Sequence, residues 1–164
     1  MLKRNITIIA MLLVTLTSSY ATAKSRIRMG MSRSQLAKAL PVYAKAFENT
    51  DPNVQIKGYY YYGMKGDAAF LFMQGDKLLL FTWEYKQSGQ TLDNTELQQY
   101  NNVLKGLESD YGTTYKKEVS ELDSRVGLWY WRLPTASGHT SYTPMKTLKF
   151  QIADNTWLES IKPH

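Results

Sequence analysis

The chain offers few groups for covalent or metal chemistry. It has 164 residues with two histidines and no cysteine. His139 stands in Ser137-Gly138-His139, and His164 is the last residue. Neither has a second His, Asp or Glu three or four residues away on one element, the spacing that puts two metal ligands on one face. No metal site and no cofactor are therefore assigned. Ser137 beside His139 supplies a nucleophile and a base, but a hydrolytic triad is made by three-dimensional geometry and not by adjacency. Neither a G-x-S-x-G elbow nor an S-x-x-K motif is present. Acids pair at Glu108/Asp110 and Glu121/Asp123. A glycosidase needs two carboxyl groups facing each other across the scissile bond, whereas these pairs fall at a helix end and in a turn. Gly63-Met64-Lys65-Gly66 lacks the Lys-Ser/Thr that completes a phosphate loop. No catalytic residue is assigned.

The aromatic residues are the richer resource, with twelve tyrosines, four tryptophans and five phenylalanines. Tyr59-Tyr60-Tyr61-Tyr62 and Trp129-Tyr130-Trp131 read as strand segments, and alternation sends neighbours to opposite faces. On that count Val54, Ile56, Tyr60 and Tyr62 share one face of the first strand, and Gln55, Lys57, Tyr59 and Tyr61 take the other. If helices cover one face of the sheet, Tyr59, Tyr61, Tyr130 and Arg132 line the open one. Tyrosine and arginine are enriched where binding energy concentrates, because they bury large area at low entropic cost. These four are the candidate binding residues. Which face the tryptophans take stays open at this point.

The net charge of +6 is unevenly placed. Lys3 and Arg4 precede an apolar run from Ile6 to Leu16, and Ala21-Thr22-Ala23 follows. A basic start, a short apolar stretch and an A-x-A site make a secretory signal peptide, here residues 1–23, with export to the periplasm or the medium. The run falls short of the ~20 apolar residues of a spanning helix. Lys24, Arg26, Arg28, Arg33, Lys38 and Lys45 all come before the first acid, Glu48. The basic character therefore belongs to a flexible lead-in, 24–30, and to the first helix. A nucleic-acid partner would ask for a basic stripe through the folded body, and none is expected. The basic arm suits weak contact with anionic lipid headgroups.

Two helices must hold these strands. Ser32 and Gln35 form a capping box, with Met31 and Leu36 placed as a hydrophobic staple. Leu36, Leu40, Tyr43, Ala44 and Phe47 follow at helical spacing, broken near Leu40 by Pro41. Strands are expected over 54–62, 68–73 and 78–86. Leu92-Asp93-Asn94-Thr95-Glu96-Leu97 then repeats the first helix start in type. Its helix carries Leu97, Tyr100, Leu104, Leu107 and Tyr111 as one stripe, ending at Gly112. Strands are expected at 115–119, 126–133, 147–153 and 157–161, with a long loop over 134–144. The echo gives two α-β-β-β units, 31–90 and 91–164, in one compact domain. The fold class is α+β, an antiparallel sheet with helices packed on one face.

The Gly30-Met31-Ser32 helix start, with its short proline-ended helix and strand hairpin, resembles the outer-membrane-assembly lipoproteins of the SmpA/OmlA type. The tandem arrangement is similar to the architecture of β-lactamase-inhibitor proteins. This chain lacks the acylated cysteine of the first group and the disulfides of the second, so no functional residue carries over. The resemblance implies non-enzymatic protein binding, as an inhibitor or envelope accessory factor whose partner is another envelope or secreted protein. A glycan or small-molecule binder using Tyr and Trp stacking, and a periplasmic hydrolase using carboxylates, are the competing readings. A narrow aromatic cleft with polar rim groups would favour the former, and a pocket holding two acids the latter.

Overall fold

The computed structural model describes residues 27–73, 75–86, 94–114, 116–122, 126–142 and 147–162. The expected signal peptide, the lead-in as far as residue 26, and the second N-cap at Asp93 lie outside the described residues.

The first helix begins as its sequence dictates. The Ser32 hydroxyl accepts from Gln35 N at 3.2 Å, and Gln35 Oε1 accepts from Ser32 N at 2.9 Å. This reciprocal box satisfies donors that a helix start leaves open. Helix α1 spans Arg33–Ala39. Pro41 then starts a 3-10 helix, Pro41–Phe47, at the first position, where a missing N–H is harmless. Strands β1 (Asn53–Tyr61), β2 (Met64–Met73) and β3 (Lys77–Lys86) form a meander. Helix α2 (Asn94–Tyr111) leads to β4 (Lys116–Val119), β5 (Gly127–Arg132), β6 (Ala136–Tyr142) and β7 (Thr147–Asp154). Helix α3 (Asn155–Ser160) follows β7 directly.

All seven strands belong to one antiparallel sheet in the order β1-β2-β3-β7-β6-β5-β4. The two meanders join where β3 pairs with β7, from Leu80 opposite Ala153 to Lys86 opposite Thr147. One face is covered. Tyr43 of the 3-10 helix lies 4.8 Å from Tyr59, and Phe47 meets Phe70 edge-on at 5.1 Å. From α2, Tyr100 reaches Tyr142 at 5.4 Å and Tyr111 reaches Phe150 at 5.5 Å. Tyr100, Val103, Leu107 and Tyr111 are the buried stripe of α2, and Leu104 is only half-buried. Gly112, at φ +80°, ends the helix in the left-handed conformation that glycine adopts freely.

Three sequence expectations are corrected. The first concerns β1. Gly58 takes φ +69°, and the pairing with β2 slips between Ile56 and Tyr59. That bulge inverts the alternation. Val54 and Ile56 face the core before it, but Tyr59 and Tyr61 do so after it, each 3% exposed, while Tyr60 is 59% exposed. The second concerns the segment read as a loop over 134–144, most of which is β6. Its inward residues are small because indoles stand opposite, Gly138 facing Trp131 and Thr140 facing Trp129. The third concerns 157–161, read as a strand. Asp154 accepts from Trp157 N at 3.1 Å and starts a helix instead. The second half thus holds four strands and a terminal helix, more than a single α-β-β-β unit.

The lead-in is also anchored at its described end. Ile27 is buried, Gly30 N donates to Leu78 O, and Leu78 N donates to Met31 O, both at 2.8 Å.

The inverted parity gives a contrast between neighbours. Tyr61→Ala is expected to cost about 3–5 kcal/mol, as for other large aromatic truncations in a core. Tyr60→Ala is expected to change stability by less than about 0.5 kcal/mol. Urea unfolding midpoints measure both. Similar losses at the two positions would mean that β1 keeps regular alternation.

Candidate functional site

The uncovered face of the sheet is built by register. Thr82, Gln151, His139, Tyr130 and Lys116 stand side by side across β3, β7, β6, β5 and β4. The next row along the strands is Glu84, Lys149, Ser141, Leu128 and Glu118. Arg132 lies two residues from Tyr130 on the same face, opposite Ser137, and is exposed.

Tyr130 is the centre of this arrangement. Its ring lies 6.3 Å from the His139 ring, and the Lys116 ammonium stands 5.5 Å above its centroid. The distance suits a cation–π contact. Its hydroxyl donates to Glu118 Oε2 at 3.3 Å. Glu118 is also ion-paired with Lys116. The Lys116 ammonium, by its hydrogen bond and then its charge, holds the Glu118 carboxyl below its ordinary pKa, and the Tyr130 hydroxyl adds a smaller effect in the same direction. His139 titrates below its ordinary value, first because it is half-buried and second because the Lys149 charge is near. The imidazole is therefore neutral near pH 7, with one donor and one acceptor nitrogen. Three cations, Lys116, Arg132 and Lys149, share this face with two carboxylates, Glu118 beside Lys116 and Glu84 opposite Lys149.

The sequence-derived site divides in two. Tyr130 and Arg132 lie on the open face as expected. Tyr59 and Tyr61 do not, because the Gly58 bulge turns them under the helices. Tyr61 packs against Phe81 at 5.4 Å, Trp83 at 5.6 Å and Phe150 at 5.7 Å. Burial pushes the Tyr59 hydroxyl pKa well up, so it is a neutral core group. His139 was missed as a member of the face because its strand lacks an apolar alternation. The signal that reveals it is the succession of small residues able to sit beneath two tryptophans.

Tyr62 holds the β1–β2 turn to α2. At φ +49° it occupies a conformation that non-glycine residues rarely take. Its ring lies over Gly106, where any Cβ would collide with it. Its hydroxyl donates to Asp110 at 2.6 Å. Burial, then that hydrogen bond, push its pKa far up, which suits a structural clasp and not a nucleophile. Among the described residues no group of three or more His, Asp or Glu comes together to hold a metal ion.

No protein-family model matches the chain, and no curated protein matches it. Among solved structures, a DUF4309 family protein (YjgB) from Bacillus subtilis is similar at 8% identity with a TM-score of 0.36. The match covers 70% of this chain and 76% of that one.

The lowered pKa of His139 has a thermodynamic sign. The unfolded chain takes up a proton near the ordinary value of 6.5, and the folded chain resists it to lower pH. Stability from this group is therefore full above that value and falls as pH drops below it. His139→Gln is expected to lose less melting temperature between pH 7 and pH 5 than the parent. Equal losses would remove His139 as the cause.

Proposed function

We propose that this chain is an exported, non-enzymatic protein-binding module that meets its partner on the open sheet face around Tyr130. One observation carries the reading. Helices α1 and α2 and the 3-10 helix cover one face of the sheet, while the other presents an aromatic and basic cluster of Tyr130, His139, Lys116, Lys149 and Arg132. A tyrosine fixed between an imidazole and an ammonium offers large contact area with little entropy left to lose. The surrounding cations favour an acidic patch on the partner, since opposite potentials steer encounter and fix register. The role is that of an inhibitor or envelope accessory factor.

Export rests on the basic, apolar and A-x-A succession of residues 1–23, with cleavage after Ala23. Lys24, Arg26 and Arg28 of the basic arm would make weak contact with anionic headgroups. A duplicated origin is supported by the way each meander ends on a central strand, β3 or β7, and by the repeated helix starts. The additional strand in the second half is a departure from strict duplication.

The test is cross-linked capture from periplasmic and culture fractions, using the parent and a Tyr130→Ala/Arg132→Ala double variant. The double variant should keep its stability to within about 1 kcal/mol, being built from surface changes, and lose the captured protein. Capture should weaken as salt rises, because exposed charges are screened. Undiminished capture by the double variant would move the interface elsewhere.

A further inference from the structure

The covered face holds a second feature that the open-face reading does not use. Helix α2 buries Tyr100, Val103, Leu107 and Tyr111 over the centre of the sheet. It leaves a strip above β4 and β5. There a cleft of about 270 Å³ is lined by Asn101, Leu104, Lys105, Glu108, Lys117, Trp129 and Trp131.

The lining has a definite chemical order. Asn101, Lys105 and Glu108 lie four and three residues apart, so they share one side of the helix. Lys117 comes from β4, directly opposite Trp129. Trp129 and Trp131 are largely buried and form an apolar wall. Trp131 is fixed by its indole N–H, which donates to Gly112 O at 2.8 Å. The polar groups, by contrast, are uncommitted. Among the described residues, Asn101, Lys105, Glu108 and Lys117 make no hydrogen bond or ion pair with one another or with any other side chain. Lys105 and Glu108 stand at the spacing that commonly pairs, yet they do not. The groove is half-open and its lining is about as polar as apolar, with four polar side chains converging beside a narrow apolar floor, a combination that can orient a small polar ligand.

We propose that this cleft binds a single sugar-acid unit, a pyranose ring bearing one carboxylate. Two ammonium groups, one from the helix and one from β4, accept the carboxylate between them. The Glu108 carboxylate and the Asn101 amide oxygen accept hydrogen bonds from ring hydroxyls, and the Asn101 amide nitrogen donates to a hydroxyl oxygen. The C–H side of the ring rests on Leu104 and on the narrow exposed edges of Trp129 and Trp131. The volume lies just below the usual range of ligand sites, which limits the occupant to one ring. The source is either a free sugar acid or the terminal residue of an acidic glycan.

The experiment titrates galacturonate, trigalacturonate and galactose into the purified protein, following the indole N–H resonances by NMR. Galacturonate should shift the Trp129 and Trp131 signals saturably in the millimolar range, as expected for a ligand of this size. Galactose should bind at least tenfold more weakly. The Lys105→Ala/Lys117→Ala variant alters only exposed side chains and should lose the galacturonate response while keeping the parent spectrum elsewhere. Lys117→Gln serves as the second variant should the double change disturb folding. Tighter binding of trigalacturonate points to a glycan end, and equal binding points to the free acid. The proposal is overturned if galacturonate gives no saturable shift, if galactose matches it, or if the lysine variants bind as the parent does.

Discussion

The two halves of this protein join along the β3–β7 ladder, and over that seam Tyr61 from the first meander stacks on Phe150 from the second. Their rings are 5.7 Å apart at an interplanar angle of 24°. Phe150 also meets Phe81, Tyr111 and Trp131. It therefore joins β3, α2 and β5 to β1 through a single side chain. Such pairs contribute beyond the area they bury, and a dense core transmits any change in one member to the rest. The covered face, the position of α2 and the placement of the open face all follow from this cluster.

Much of this arrangement is legible in the sequence, and the exceptions have physical causes. The Ser32 box, the break at Pro41 and the Gly112 end are local hydrogen-bonding and backbone requirements, so residue type alone reveals them. β4, Lys-Lys-Glu-Val, is exposed throughout, and five of the other strands carry enough apolar residues to be read. β6 does not, because its inward positions are filled by Ala136, Gly138, Thr140 and Tyr142, small except at the end, to admit the indoles opposite. That is a tertiary requirement, invisible along the chain. The Tyr59–Tyr62 parity failed for a different reason. A glycine inside a strand is a known signal for a bulge, and Gly58 was counted as an ordinary strand position. Half of the candidate site changed faces as a result.

The two faces of the sheet divide the chemistry. On the covered face, polar groups are mostly bound to fixed partners, as with Tyr62 and Asp110, or Trp83 and Tyr59 O. The cleft beside α2 is where that rule relaxes, since the helix does not extend over β4. On the open face, the charges are arranged around one ring. Lys116 is shared between Glu118 and the π-face of Tyr130, so ring orientation, carboxylate ionisation and ammonium position are linked. A partner that took hold of any one of them would perturb the others.

Strand β4 has a consequence of another kind. It is only four residues long, exposed throughout, and reads Lys-Lys-Glu-Val at the rim of the sheet. An unpaired strand is a template on which another chain can add. A second chain adding at this rim would gain few main-chain hydrogen bonds over four residues and would have to desolvate the Lys116–Glu118 ion pair beside them. Short length and dense charge thus cap the growth of the sheet at this border. The opposite border is of another kind, because β1 is nine residues long and interrupted by the Gly58 bulge. The two rims of one sheet thus limit strand addition by different means, one by shortness and charge and the other by a break in register.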